Sequence, residues 1–159
     1  MLFVLVFGVQ AANAQRLEVG PLDVLKGERN VNVNIDYSNA TIMHMSEEEF
    51  AEYEDDWDDD QPIIFGCFLE NANRALDDIL YLTKTNKANY TLHWVIFSID
   101  TKGNIRSDVY LENNDGEVLA IIEGVNGEGG MFGTKLNLIK DRAQDASKQL
   151  GKFLAKHLR

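Results

Sequence analysis

Tyr90-Thr91-Leu92-His93-Trp94-Val95-Ile96-Phe97-Ser98-Ile99, with the segments that follow it to Val125, is the stretch whose reading decides the fold. β-Branched and aromatic residues occupy both alternating sets of positions, which predicts a strand buried from two sides and central in its sheet. Asp100-Thr101-Lys102-Gly103-Asn104 then carries turn chemistry, Ile105 to Glu112 reads as a second strand, Asn113-Asn114-Asp115-Gly116 as a tight turn, and Glu117 to Val125 as a third strand. Three strands joined by short turns pair antiparallel, so a meander is expected.

Upstream, Val31 to Tyr37 alternates apolar and polar residues without a break, the pattern of a strand with one buried face. Arg16 to Lys26, around Gly20-Pro21, suggests a short extended arm or edge strand. Ser46 and Glu49 form a capping box for a helix starting near Glu47. Acids suit that start, but by Asp55 to Asp60 the charge reaches the wrong end of the dipole, so fraying into a loop before Pro62 is expected. From Ile63 to about Leu82, apolar residues recur at three- and four-residue steps, predicting an amphipathic helix. After Val125 and a glycine-rich turn, Leu136, Ile139, Ala143, Ala146, Leu150, Phe153, Leu154 and Leu158 mark one face of a long closing helix. The expected fold is α+β: a mixed, mostly antiparallel sheet of four or more strands packed with helices, in the order strand-helix-helix-strand-strand-strand-helix. The helical crossover after the first strand allows it to lie parallel to a neighbour.

The net charge of −11 is local, because ten of the 26 acids fall between Glu47 and Asp60 with no base among them, leaving 16 acids against 15 bases elsewhere. A nearly neutral domain with one negative patch lacks the positive footprint that nucleic acid requires. Within the patch, Asp56, Asp58 and Asp60 are the only metal candidates, for loose divalent binding. An EF-hand loop counted from Asp56 places Gln61 and Cys67 where Gly and Glu belong, which excludes that motif. His44, His93 and His157 stand at no metal-ligand spacing, and His93 reads as a structural histidine of the central strand. Gly127 to Lys135 imitates a phosphate cradle but fails both the Walker and the dinucleotide spacing, so it reads as a strand-to-helix connection with Thr134 as N-cap, and no cofactor is expected. Cys67, the single cysteine, excludes an intramolecular disulfide and reads as a small buried hydrophobe. Lys148, Lys152 and Lys156, four residues apart on the closing helix, form a basic stripe and are the candidates for partner binding, including docking onto the chain's own acidic segment.

Leu2 to Ala14 is uncharged, apolar and then small, closing on Ala12-Asn13-Ala14. That is the pattern of a signal peptide cleaved before Gln15, too short to span a membrane, although it lacks a basic start. The expected organisation is therefore a signal peptide at 1–14 and a single α+β domain at 15–159, periplasmic or secreted, with no integral membrane span.

Leu25-Lys26-Gly27-Glu28, Val31 to Asn39, the Ser46-Glu47-Glu48-Glu49-Phe50 helix start and the closing Gly151-Lys152-Phe153-Leu154 resemble a group of small exported proteins of unknown function from Bacteroidetes-type bacteria. The resemblance implies bacterial export and a two-layer sandwich of sheet and helices, broadly similar to the amino-terminal domain of the Tol translocation protein. It implies no catalytic residues. Taken together, the sequence favours an exported cell-envelope protein that binds a partner, an envelope protein or small ligand, without catalysis. The alternatives are an envelope hydrolase whose site is assembled only in three dimensions, and a small-ligand or cation-binding domain using the acidic segment.

Overall fold

The structure, a computed structural model, describes residues 15–85, 87–130 and 132–159, so the expected signal peptide at 1–14 lies outside the described residues. These contain β1 (Arg16–Val19), a 3-10 turn (Asp23–Leu25), β2 (Asn30–Asp36), β3 (Thr41–Ile42), β4 (Met45–Ser46), α1 (Glu47–Tyr53), α2 (Trp57–Leu76), β5 (Tyr81–Thr83), β6 (Tyr90–Ile99), β7 (Ile105–Asn113), β8 (Val118–Glu123) and α3 (Lys135–Leu158). The fold is α+β, and the sheet is mixed and mostly antiparallel, in the order β1-β8-β7-β6-β2-β5. β6, β7 and β8 form the expected meander. A helical crossover follows β2, which pairs parallel with both β6 and β5, while β1 closes the far edge against β8.

Alternate residues of each strand face α2 and α3. Val31, Val33, Leu92, Trp94, Ile96, Val109, Leu111, Ala120 and Ile122 are buried there with Ile64, Phe68, Leu76, Ile139, Leu150 and Leu154 of the helices. Trp94 stacks on Phe68 with ring centroids 4.0 Å apart. Its indole N–H donates to Ser107 Oγ at 2.6 Å, and the Ser107 hydroxyl donates to the carbonyl of Val125, so these two side chains are satisfied inside the core. α2 and α3 run side by side in the same direction: Cys67 lies near Lys140, Asn71 bonds Gln144, and Gly151 meets Ala72 and Ala75. A Cβ built on Gly151 would stand 2.5 Å from the Ala72 carbonyl oxygen, so only glycine allows this approach.

Three sequence expectations are corrected. The acidic run does not fray into a loop. α1 stops at Tyr53, and α2 begins at Trp57, so Asp58, Asp59 and Asp60 form its first turn, where the dipole favours carboxylates. Trp57, 2% exposed, anchors that start against Tyr37 and Phe50, and Pro62 is accommodated inside the helix. α2 does not reach Leu82. Asp77 and Asp78 adopt left-handed conformations and stop it at Leu76, after which Tyr81 to Thr83 join the sheet as an edge strand. Finally, β6 is central but not buried from both sides, since His93 and Val95 are only half-buried and Phe97 is 42% exposed.

Candidate interaction surface

The uncovered face of the sheet is built from the residues that alternate with the core. Register places Asn34, His93, Tyr110 and Ile121 in one row across β2, β6, β7 and β8, with Asp36, Val95 and Asp108 in the next. A bulge between Ile96 and Ser98 turns Phe97 outward beside them. The face therefore mixes apolar and ionisable groups. His93 Nε2 lies 3.4 Å from Glu112 Oε2, within ion-pair range, but the geometry makes no hydrogen bond. Asp36 is held below the usual carboxylate range by the hydroxyl and backbone N–H of Ser38. Asp108 is pushed up by desolvation, which outweighs the N–H donated by Gly124. His93 thus stands beside a carboxylate on an open β-surface, not inside any of the clefts described below. His44 is exposed at the tip of the β3–β4 hairpin, and His157 packs on Phe153 near the end of α3.

At the carboxyl end of β2 the chain forms an open cleft of about 440 Å³, lined by Ile35, Tyr37, Asp58, Gln61, Pro62, Phe65 and Lys84. The α2 residues stand at positions i, i+3, i+4 and i+7, one face of the helix. Behind this wall Glu47 accepts from the Trp57 indole at 2.9 Å and from Gln61 at 3.4 Å. Tyr37 is buried, its hydroxyl has no hydrogen-bond partner, and burial followed by the charge of Glu47 pushes its ionisation upward.

The residues singled out by sequence are dispersed. Asp56 precedes α2, and Asp58 and Asp60 occupy its first turn, where helical rotation sends them in different directions. Among the described residues no group of three or more His, Cys, Asp or Glu side chains is arranged to hold a metal ion. Lys148, Lys152 and Lys156 are exposed on the carboxyl half of α3, and Lys152 and Lys156 line a shallow cleft of about 330 Å³ with Gln15, Gln149, Phe153 and His157. They do not meet the acidic segment, because α3 runs in the same direction as α2 and carries its basic half to the opposite end. Lys135, in the first turn of α3, pairs with Glu54 instead and lies 4.8 Å from the Tyr53 ring centroid. Cys67 is half-buried, near the Lys140 carbonyl, and burial raises its thiol ionisation, which makes it a poor nucleophile.

Sequence reasoning missed Arg142, which is 1% exposed and organises the glycine-rich connection. Its guanidinium donates to the carbonyls of Gly130 and Leu138 and to Asn104 Oδ1. A Cβ on Gly127 would stand 2.0 Å from the Arg142 carbonyl oxygen, which explains a glycine there without any phosphate. Thr134 caps α3 as expected, accepting from the Asn137 N–H. Asp141 and Asp145 stand close by in the sequence, yet its partners are two carbonyls and an amide oxygen, so charge pattern gave no signal that this arginine turns inward.

No helix among the described residues is long and apolar enough to cross a membrane. No protein-family model matches the chain, and no curated protein matches it in sequence. Among solved structures it is similar to the PelC dodecamer from Paraburkholderia phytofirmans, with a TM-score of 0.46, 11% identity, and coverage of 86% of this chain and 98% of that one. A singly substituted form of the same dodecamer matches with a TM-score of 0.45 and 12% identity over 87% of this chain and 96% of that one.

Proposed function

We propose that this chain is an exported cell-envelope protein that acts as a non-catalytic interaction module, binding its partner through the uncovered face of the sheet. The observation that carries the reading is that face itself: Val95, Phe97, Tyr110 and Ile121 stay in contact with water, ringed by His93, Arg106, Asp108 and Glu112. An apolar centre with a polar rim is the usual anatomy of a recognition surface. The segment Leu2–Ala14, with small residues at Ala12 and Ala14, supports export.

Two measurements test it. Amino-terminal sequencing of protein recovered from the periplasm or medium of a bacterial host is expected to start at Gln15. A photo-crosslinking residue at Phe97 is expected to capture one discrete envelope protein, and the same group at Lys148, on the helical face, to capture none. Retention of Met1 in the mature protein would defeat the export reading, and equal capture from both positions would defeat the surface.

A further inference from the structure

The cleft at the carboxyl end of β2 contains groups that packing does not account for. We propose that it binds a small organic cation, an alkylammonium of the diamine or polyamine class, with its ammonium over the Phe65 ring between Tyr37 and Asp58. The crevice outside the carboxyl ends of parallel strands is where open α/β sheets take up small ligands, and β2 lies parallel between β5 and β6. A volume of about 440 Å³ suits a ligand of this size.

The chain itself indicates the sign of the charge. Lys84 Nζ stands 4.6 Å from the Phe65 ring centroid, so an ammonium already occupies the ring face. Lys84 is exposed on a flexible stem and is displaceable by a better-placed cation. Asp58 forms one wall, Glu47 lies behind Tyr37 and Trp57, and the ten acids between Glu47 and Asp60 give the cleft mouth a negative potential. An anionic ligand would enter against that field. Tyr37 lines the cleft with its hydroxyl buried and unpartnered, an acceptor that the chain's own packing leaves unused. Ile35 and Pro62 offer apolar surface to an alkyl chain.

The site is separate from the open sheet face, so either proposal can fail alone. Isothermal titration of the full chain with cadaverine and spermidine is expected to show saturable binding, whereas 1,5-pentanediol and glutarate give no heat. Asp58→Asn is expected to weaken cadaverine about tenfold, the loss of one charge-assisted contact. Tyr37→Phe weakens it severalfold while raising Tm. Lys84→Ala tightens it, because the competing ammonium is gone. Asp55→Asn, at an exposed acid outside the cleft, leaves affinity unchanged, and backbone amide shifts on titration fall at Lys84 and Phe65. Equal losses for Asp55→Asn and Asp58→Asn would mean diffuse attraction to the acidic segment and would overturn the site. So would binding of glutarate that is lost in Lys84→Ala, which would make Lys84 a receptor for anions.

Discussion

On β6, Leu92, Trp94 and Ile96 are at most 1% exposed, while His93, Val95 and Phe97 between them keep contact with water. The same backbone serves both sets, so the difference lies in what stands opposite. Beneath the first set lie two helices packed so closely that Gly151 touches the backbone of Ala72. Opposite the second set, no element among the described residues supplies buried side chains. One face is therefore fixed by the jigsaw of the core, and the other is free to carry charge, a histidine and an aromatic side chain for recognition. The contrast gives a test: substitutions on the two faces of β6 should differ sharply in cost.

Trp94→Ala should have the largest effect, about 3–5 kcal/mol of unfolding free energy, because it removes the Phe68 stack and leaves the Ser107 hydroxyl short of a donor. Phe97→Ala, three residues along, should stay within about 0.5 kcal/mol. Urea denaturation of the two variants measures the ratio, and equal costs would show that something covers the open face. Gly151→Ala comes next, at about 1–3 kcal/mol, since its Cβ would press on the Ala72 carbonyl oxygen and the Ala75 methyl and push the helices apart. Ser46→Ala should cost about 1 kcal/mol, because both reciprocal bonds of the capping box are present, Ser46 Oγ accepting from the Glu49 N–H and Glu49 accepting from the Ser46 N–H. Its Tm shift should be smaller than that of Gly151→Ala, which sits in the seam between α2 and α3.

What was legible follows from how local each signal is. The meander, the alternating first strand and the capped starts of α1 and α3 are written in residues close together in the chain, as alternation, turn dipeptides and capping pairs. The β3–β4 hairpin was not legible because its two-residue turn, Met43-His44, takes positive φ at both positions, 48° and 70°, without the Asn-Gly pair that usually announces it. β5 was hidden for a different reason: Leu80 and Leu82 continue the spacing of α2, and only the left-handed Asp77 and Asp78 stop the helix before them. The acidic run was misread because charge alone does not reveal on which side of a helix boundary it falls. At the site level, His93 and the lysine stripe were visible as residue types, but the cleft was not, since it joins Tyr37, Phe65 and Lys84 from three separate elements. Arg142 was missed because an inward-facing arginine paired with carbonyls leaves no pattern in the sequence.

The smallest expected effects are electrostatic, and they distinguish the open face from the turns at its rim. Asp108, on the open face, is desolvated and its pKa is raised above 3.8. As pH rises, the unfolded chain therefore loses that proton first, so the Asp108 contribution to stability declines from about pH 3.8 upward until its folded pKa is passed. Asp100, in the β6–β7 turn, shifts the other way: burial opposes ionisation, but bonds from the Asn104 side chain and the backbone N–H groups of Asn104 and Lys102 outweigh it. Its contribution is present above pH 3.8 and is lost as pH falls through its lowered value. Carboxyl-carbon NMR titration should thus move the two aspartates to opposite sides of 3.8, and Asp108→Asn should flatten the mildly acidic limb of the stability profile without altering the Asp100 titration. A partner that covers the open face would remove more water from Asp108 and raise its pKa further, so binding there should take up protons at mildly acid pH. Calorimetry in buffers of different ionisation enthalpy would detect that uptake, whereas proton-neutral binding would place the partner away from Asp108.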